Sequence, residues 1–353
     1  MRIGTAEARR GGVAKGYVDL VSFPTGGTEK APVMVARGEK EGPTLWLTAN
    51  LHGNEVAGIP VIHRILTEET AALIKGSVVG VVTLNPSGLR SAERRSHYDS
   101  RDPNRLFPDF RGDGVTGSTQ ELINEKVFGH IERTADALLD LHCSNVGSVP
   151  FSILDRVMIP EGSEDDEETR SLLETRNAIA DAFGFAQVHG SEAERTLEEN
   201  LHRSLTGACV NSARVPAITA ELGSDYIVES EVVDAAVVGV RNVMRELGML
   251  DGEPEDVPNV GGVPREFPTR RTSLSSPVSG LLRRRVESGE LVREGDAVAE
   301  IIDSFGETKH VVEAHRDGWV TSFRLGMGVE EGSLVCYYAE RAEEDELVET
   351  YEP

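Results

Sequence analysis

Lysine is nearly missing from this chain. Lys15, Lys30, Lys40, Lys75, Lys126 and Lys309 are all it has, so arginine supplies the rest of its 36 basic residues. Against them stand 60 acidic residues, for a formal net charge of −24. Such a surface repels nucleic-acid phosphates and anionic membranes, which excludes both as partners. High negative charge keeps proteins of a salty cytoplasm dissolved, because salt screens their self-repulsion. The acidity therefore reads as a solvent adaptation of halophile type and not as a site. Cysteine is scarce too. Cys143, Cys209 and Cys336 lie far apart and form no C-x-x-C pair, which argues against a disulfide framework and fits a reducing compartment. No run approaches the roughly 18 apolar residues of a membrane span, and the opening "MRIGTAEARRGG" lacks the apolar segment of a secretory signal. The expectation is a soluble, cytoplasmic protein.

What is present is a long alternation of apolar runs and amphipathic stretches. At 353 residues the chain is suited to one large domain plus a smaller one. Strands are predicted over 43–50, 77–86, 136–142 and 215–222, with helices over 55–68, 118–135 and 228–247. Ser118 and Glu121 stand at capping-box spacing, a good helix start. Strands alternating with helices predict an α/β domain over 1–250, a central sheet with helices on both faces. The stretch 251–271, rich in Pro, Gly and charge, reads as a linker. After it only short strands and glycine turns follow, and 276–301 resembles 314–339. This near-repeat predicts a small all-β domain over 272–340, of barrel-sandwich type with pseudo-twofold symmetry. It resembles biotinyl and lipoyl domains, but no lysine sits in the hairpin between the halves, so a carrier role is rejected. Residues 341–353 read as a solvated acidic tail, and the acidic run 163–169 as a solvated face or helix start.

Chemistry is concentrated at strand ends. "LTANLHGNE" closes the first strand on His52 with Glu55 three residues on, "DLHCS" ends another on His142, and "AITAELGS" a third on Glu221. The carboxyl ends of strands in an open α/β sheet are where ligands bind. His52, Glu55 and His142 converging on one rim would form a His₂Glu donor set with an open position, that of a catalytic zinc ion, leaving Glu221 free to act on the bound water. Cys143 points the other way along its strand, toward the core. The basic loop "ERRSHYDSRDPNRLFP" (93–108) is read by default as paired with its own carboxylates, Arg101 in particular. Asn104 and Arg105, held between prolines, instead offer an amide and a planar fork suited to a substrate carboxylate. His63 reads as packed or exposed, and His97 as an ordinary residue of the basic loop and not as a substrate contact.

The motifs "HGNE", "NPSGLR", "RDPNRLFP", "DLHCS" and "ELGS" occur in the order found in the succinylglutamate desuccinylase/aspartoacylase family, which the chain resembles over roughly residues 30–250. These are zinc-dependent deacylases of the zinc carboxypeptidase-like (M14) superfamily. The resemblance implies a mixed α/β sheet of carboxypeptidase type. It implies zinc, one ion per chain, on His52, Glu55 and His142, with Glu221 as catalytic acid/base. Asn104 and Arg105 match the pair that holds the substrate carboxylate, and Arg94, with Arg95 the near alternative, matches the carbonyl-polarising arginine. D-P-N-R at 102–105 replaces the usual D-L-N-R, and "GSDY" at 223–226 replaces a glycine-rich run beside the acyl pocket. The expected function is a metal-dependent hydrolase of linear amides, removing an acyl group from an N-acyl amino acid; an N-acetylated diamino acid is one candidate. A zinc carboxypeptidase acting on peptides and a non-catalytic metal- or substrate-binding protein stand as alternatives, and homo-oligomerisation is left open.

Overall fold

Three parallel strands, Lys40–Ala49, Ala137–Ser144 and Ala217–Ser224, form the middle of the molecule. The last two are almost wholly buried, as is the second half of Lys40–Ala49, as the apolar runs there require. The computed structural model describes residues 1–112, 117–160, 166–261, 263–265, 269–342 and 350–351. Among these, the three strands belong to a 12-stranded mixed sheet. Lys75–Val81 adds in parallel on one side, followed antiparallel by Thr28–Arg37 and Gly12–Ser22. On the other side Phe151–Leu154 runs antiparallel to Ala217–Ser224, and Gln187–His189 parallel to Phe151–Leu154.

Period-two alternation sends successive side chains to opposite faces. Leu45, Leu47, Ala49, Leu139, Leu141, Ile218 and Leu222 pack with the helices Gly58–Ile65, Glu167–Phe183 and Ser230–Glu246. Trp46, Leu138 and Ala217 face the other way, against Thr119–Thr134 and the turns Leu205–Ala208 and Cys209–Ala213. Each such leucine contributes roughly 1.5–3 kcal/mol on burial. Trp46 also satisfies its indole, donating to Thr134 Oγ1 at 3.1 Å. The expected sheet covered on both faces is observed, and Cys143 lies in the aliphatic core.

Local chemistry shifts several boundaries. The helix predicted over 55–68 is two helices, Gly58–Ile65 and Glu68–Leu73, because Thr67 takes an extended backbone and accepts the Thr70 N–H as a new N-cap. The strand predicted to 86 ends at Val81; Asn85 accepts the Gly88 N–H at 2.8 Å and starts the helix Pro86–Ser91, with proline in its first turn. The capping box at Ser118 and Glu121 is present. Of the acidic run 163–169, residues 163–165 lie outside the described residues, and Asp166 caps the helix Glu167–Phe183. The hairpin Gly12–Ser22 with Thr28–Arg37 was not predicted.

From residue 269 on, the regular elements among the described residues are all strands. Thr269–Ser275 pairs parallel with Gln187–His189 and antiparallel with Leu334–Arg341, so the large sheet continues into the C-terminal part. The last three residues of the stretch read as a linker thus lie in a strand. Gly280–Arg284, Ala297–Ile302, Thr308–Glu313 and Gly328–Val329 form a separate four-stranded sheet. Between the sheets Leu274, Val298, Ile301, Val320, Phe323 and Val335 make a second core. The near-repeat pairs reciprocally: Gly280–Arg284 of the first half bonds Gly328–Val329 of the second, and Gly318–Phe323 of the second bonds Leu291–Val292 of the first. Most of the acidic tail, residues 343–349 and 352–353, lies outside the described residues, while Thr350–Tyr351 pairs with Ile159–Pro160 instead of running free. No described helix is long and apolar enough to cross a membrane.

Candidate active site

The sheet register assembles the site row by row. Thr48 faces Asp140 and Asp140 faces Thr219; two residues on, His142 faces Glu221. The first strand stops short of His52 because Asn50 takes φ 56° and its Nδ2 donates to the carbonyls of His52, Gly53 and Glu55. That clamp turns both His52 and Glu55 toward the rim. Gly53 is required here, since a Cβ would sit 2.0 Å from the Gly88 carbonyl carbon.

His52, Glu55 and His142 meet, all buried, with donor atoms within 4.8 Å of one another, a group that can hold a metal ion. Both imidazoles present Nδ1 to one carboxylate: His52 to Glu55 Oε1 and His142 to Glu55 Oε2, each at 2.7 Å. The far nitrogens are held by other carboxylates, His52 Nε2 by Asp102 at 2.9 Å and His142 Nε2 by Asp140 at 2.8 Å. Metal-binding histidines characteristically carry such outer carboxylates, which fix the ring and raise its basicity. The donors therefore fit a divalent ion. Burial pushes the Glu55 carboxyl up, but the two imidazoles outweigh it and hold it well below the usual range. At Asp102 burial is likewise outweighed, by His52, Arg94 and Arg105. Glu221 goes the other way: burial, then the charge of Glu55, raises its carboxyl. Its Oε2 has no hydrogen-bond partner among the described residues.

Arg94 reaches this cluster. Its guanidinium donates to Glu55 Oε1 at 3.0 Å and to Asp102 Oδ2 at 2.9 Å. Arg95 is exposed and lies outside the cavity lining. Asp102 starts the turn Pro103–Arg105 by accepting the Asn104 N–H at 2.8 Å. Asn104 is oriented by accepting the Leu205 N–H at 2.8 Å on its Oδ1, which directs its Nδ2 to other uses. Arg105 donates to the Asn104 carbonyl at 2.6 Å; burial, then the charges of Arg271 and Arg94, lowers its pKa. Arg101 pairs with Asp99, as the default reading expects. His63 is exposed, and His97 is exposed and away from the cavity.

All eight residues singled out from the sequence except Arg95 line one cavity of about 570 Å³. Its far wall comes from the C-terminal part, through Arg271, Leu334 and Tyr337 on strands and Arg324 just after Gly318–Phe323. Arg271 stacks over the Tyr337 ring, 4.6 Å from its centroid. Sequence reasoning missed these and the outer carboxylates. Asp140 was findable, two residues before His142 and hence on its face; the C-terminal residues gave no local signal.

Comparison with known proteins follows the same outline. Residues 41–247 match the model of the succinylglutamate desuccinylase/aspartoacylase catalytic domain. An N-alpha-acetyl-L-2,4-diaminobutyric acid deacetylase from Halomonas elongata is 26% identical over 356 residues, spanning 96% of this chain and 95% of its own. A succinylglutamate desuccinylase/aspartoacylase structure from Rhodobacter sphaeroides matches with a TM-score of 0.74 at 24% identity, over 95% of this chain and 97% of that one. The product-bound ectoine utilization protein EutE (DoeB) of Ruegeria pomeroyi gives 0.75 at 24% identity, over 95% and 98%. These structural likenesses concern the fold.

Proposed function

The chain belongs to the succinylglutamate desuccinylase/aspartoacylase family, and from that premise we propose that it is a zinc-dependent amide hydrolase that removes an acyl group from an N-acyl amino acid. One observation carries the reading. Glu221, with an unpartnered carboxylate oxygen, stands in register with His142 on the rim that also gathers His52 and Glu55.

His52, Glu55 and His142 would hold one zinc ion per chain. When bound, the ion supplies Lewis-acid activation of a water and of the scissile carbonyl. Glu221 takes the proton of the attacking water on its carboxylate and returns it to the departing amine. Arg94, beside Glu55, is placed to meet charge developing on the carbonyl oxygen; Arg95 is set aside because it lies outside the cavity. Arg105 and the Asn104 amide hold the amino-acid carboxylate and so orient the amide. Asp102 and Asp140 keep the two imidazoles in place.

The size and enclosure of the cavity favour a small metabolite over a peptide. At about 570 Å³, it is closed on one side by Arg324, Leu334 and Tyr337. Residues 1–250 then form the catalytic unit, and the barrel-sandwich-like strands of 272–340, joined through 251–271, line one side of its cavity. The three buried free thiols fit a reducing cytoplasm, and the net charge of −24 fits work at high salt. The Halomonas elongata relative is named for deacetylating a diamino acid, so N-acetyl diamino acids head the substrates to test. Zinc-loaded protein at high salt should release acyl groups from N-acyl amino acids and leave peptides intact. Trimming of peptides without deacylation would replace the proposal with a carboxypeptidase, and zinc binding without turnover on either set would replace it with a binding protein.

A further inference from the structure

Asp155 is a cavity-lining carboxylate that the mechanism above does not use. It follows the strand Phe151–Leu154, in which Ile153 is opposite Thr219, so alternation puts Asp155 on the face that carries Glu221. Ser204 Oγ donates to its Oδ2 at 3.2 Å, and Thr206 Oγ1 donates to the same oxygen. Thr206 Oγ1 lies 2.9 Å from Thr219 Oγ1, two residues before Glu221. These contacts tie Asp155 to the strand that carries Glu221, and both residues line the same cavity. Among the described residues no hydrogen bond falls on Asp155 Oδ1. Arg105 and Arg271 act on Asp155 through their charge, and neither donates to it among the described residues. Burial nevertheless keeps its carboxyl above the usual range.

The balance changes when substrate binds. Arg105 then faces the substrate carboxylate, and Asp155, half-buried in the cavity wall, keeps one carboxylate oxygen without a donor among the described residues. A buried anion is costly unless a cation or donor reaches it. A neutral, apolar substrate side chain would leave that oxygen unsatisfied, whereas an ammonium would satisfy it. We propose that Asp155 is a specificity-determining residue that receives a cationic amino group on the side chain of the bound amino acid, making the pocket selective for diamino acids. The inference rests on the proposed carboxylate clamp at Asn104 and Arg105, but it does not require turnover.

The test is calorimetric binding of free amino acids to the zinc-loaded full chain at high salt. L-2,4-Diaminobutyrate and L-ornithine are compared with L-2-aminobutyrate and L-norvaline, on the native protein and on Asp155→Asn. The native protein should bind each diamino acid about tenfold or more tighter than its partner, as a charge-assisted hydrogen bond implies. Asp155→Asn should lose that preference and bind L-2-aminobutyrate as before, since asparagine still accepts from Ser204 and Thr206. No preference in the native protein, including binding of neither class, would overturn the proposal. So would a preference that survives Asp155→Asn, or an equal loss of both classes, which would make Asp155 a positioning residue for Arg105. The comparison within the native protein stands even if the variant does not fold. A chain that shows the preference but hydrolyses no N-acyl amino acid would retire the deacylase reading alone.

Discussion

Glu221 and His142 are register partners on adjacent parallel strands, so the proposed acid/base and a proposed metal ligand are fixed side by side by backbone hydrogen bonds. Neither depends on a mobile loop for its position. Side chains on central strands of a sheet are held more closely than those on loops, which suits chemistry that needs sub-ångström placement.

The outer carboxylates should govern metal affinity. Asp140→Asn preserves the volume beside His142 Nε2 and removes the charge that makes the ring a better donor. Zinc affinity, measured by competition with a chelating dye, should fall about 10- to 100-fold, and Asp102→Asn should act similarly through His52. Unchanged affinity in both would mean that these carboxylates serve folding only.

Arg105→Lys should separate binding from chemistry. Replacing a planar fork by a point charge loses one charge-assisted hydrogen bond, about 1.5–3 kcal/mol. A clamp on the substrate carboxylate acts in ground and transition states alike, so KM should rise about 10- to 100-fold with kcat little changed. A fall in kcat at constant KM would move Arg105 from the clamp to the reacting centre.

The two adjacent arginines should behave differently. Arg94→Gln should lower kcat about 10²–10³-fold, the usual cost of a lost oxyanion donor. Arg95→Gln, exposed and off the cavity, should leave the rate within about twofold, as surface changes generally do. Zinc content is checked in both, because Arg94 also touches Glu55.

Acid sensitivity should come in part from His189. Burial, then the charges of Arg176 and Arg156, lowers its pKa from 6.5 to about 4. The folded chain therefore keeps this ring neutral where the unfolded chain takes up a proton. Its stabilising effect is complete above pH 6.5 and is lost as pH falls toward 4, by up to roughly 3 kcal/mol. Urea unfolding midpoints of the native protein should fall between pH 7 and pH 5, and His189→Gln should flatten that slope. An identical slope in the variant would assign the loss to other groups.

Much of this was legible in the sequence where one strand carries the information. The runs ending at His142 and Glu221 revealed both their burial and their rim, because unbroken apolar strands in an α/β pattern are central ones. The helix start at Ser118 followed from capping chemistry, whereas the acidic run 163–169 left open whether it was a solvated face or the helix start that Asp166 caps. What stayed hidden depends on pairs distant in sequence. Arg271 sits at the end of a proline- and glycine-rich stretch and reaches the cavity only because Thr269–Ser275 joins the large sheet. Asp155 has an ordinary sequence context, and its role appears only when Ser204, Thr206 and Thr219 are seen around it. Asn50, whose amide turns the chain after the first strand, looked like one polar residue among several.

The most direct test compares the native chain with Glu221→Gln for zinc content and for acyl release from N-acetyl diamino acids at high salt. Near-equal zinc, about one ion per chain, with turnover reduced about 10²–10⁴-fold in the variant, is expected of a general acid/base beside an intact metal centre. Full activity in Glu221→Gln, or no zinc bound by the native chain, would contradict the assignment of this rim as a zinc deacylase site.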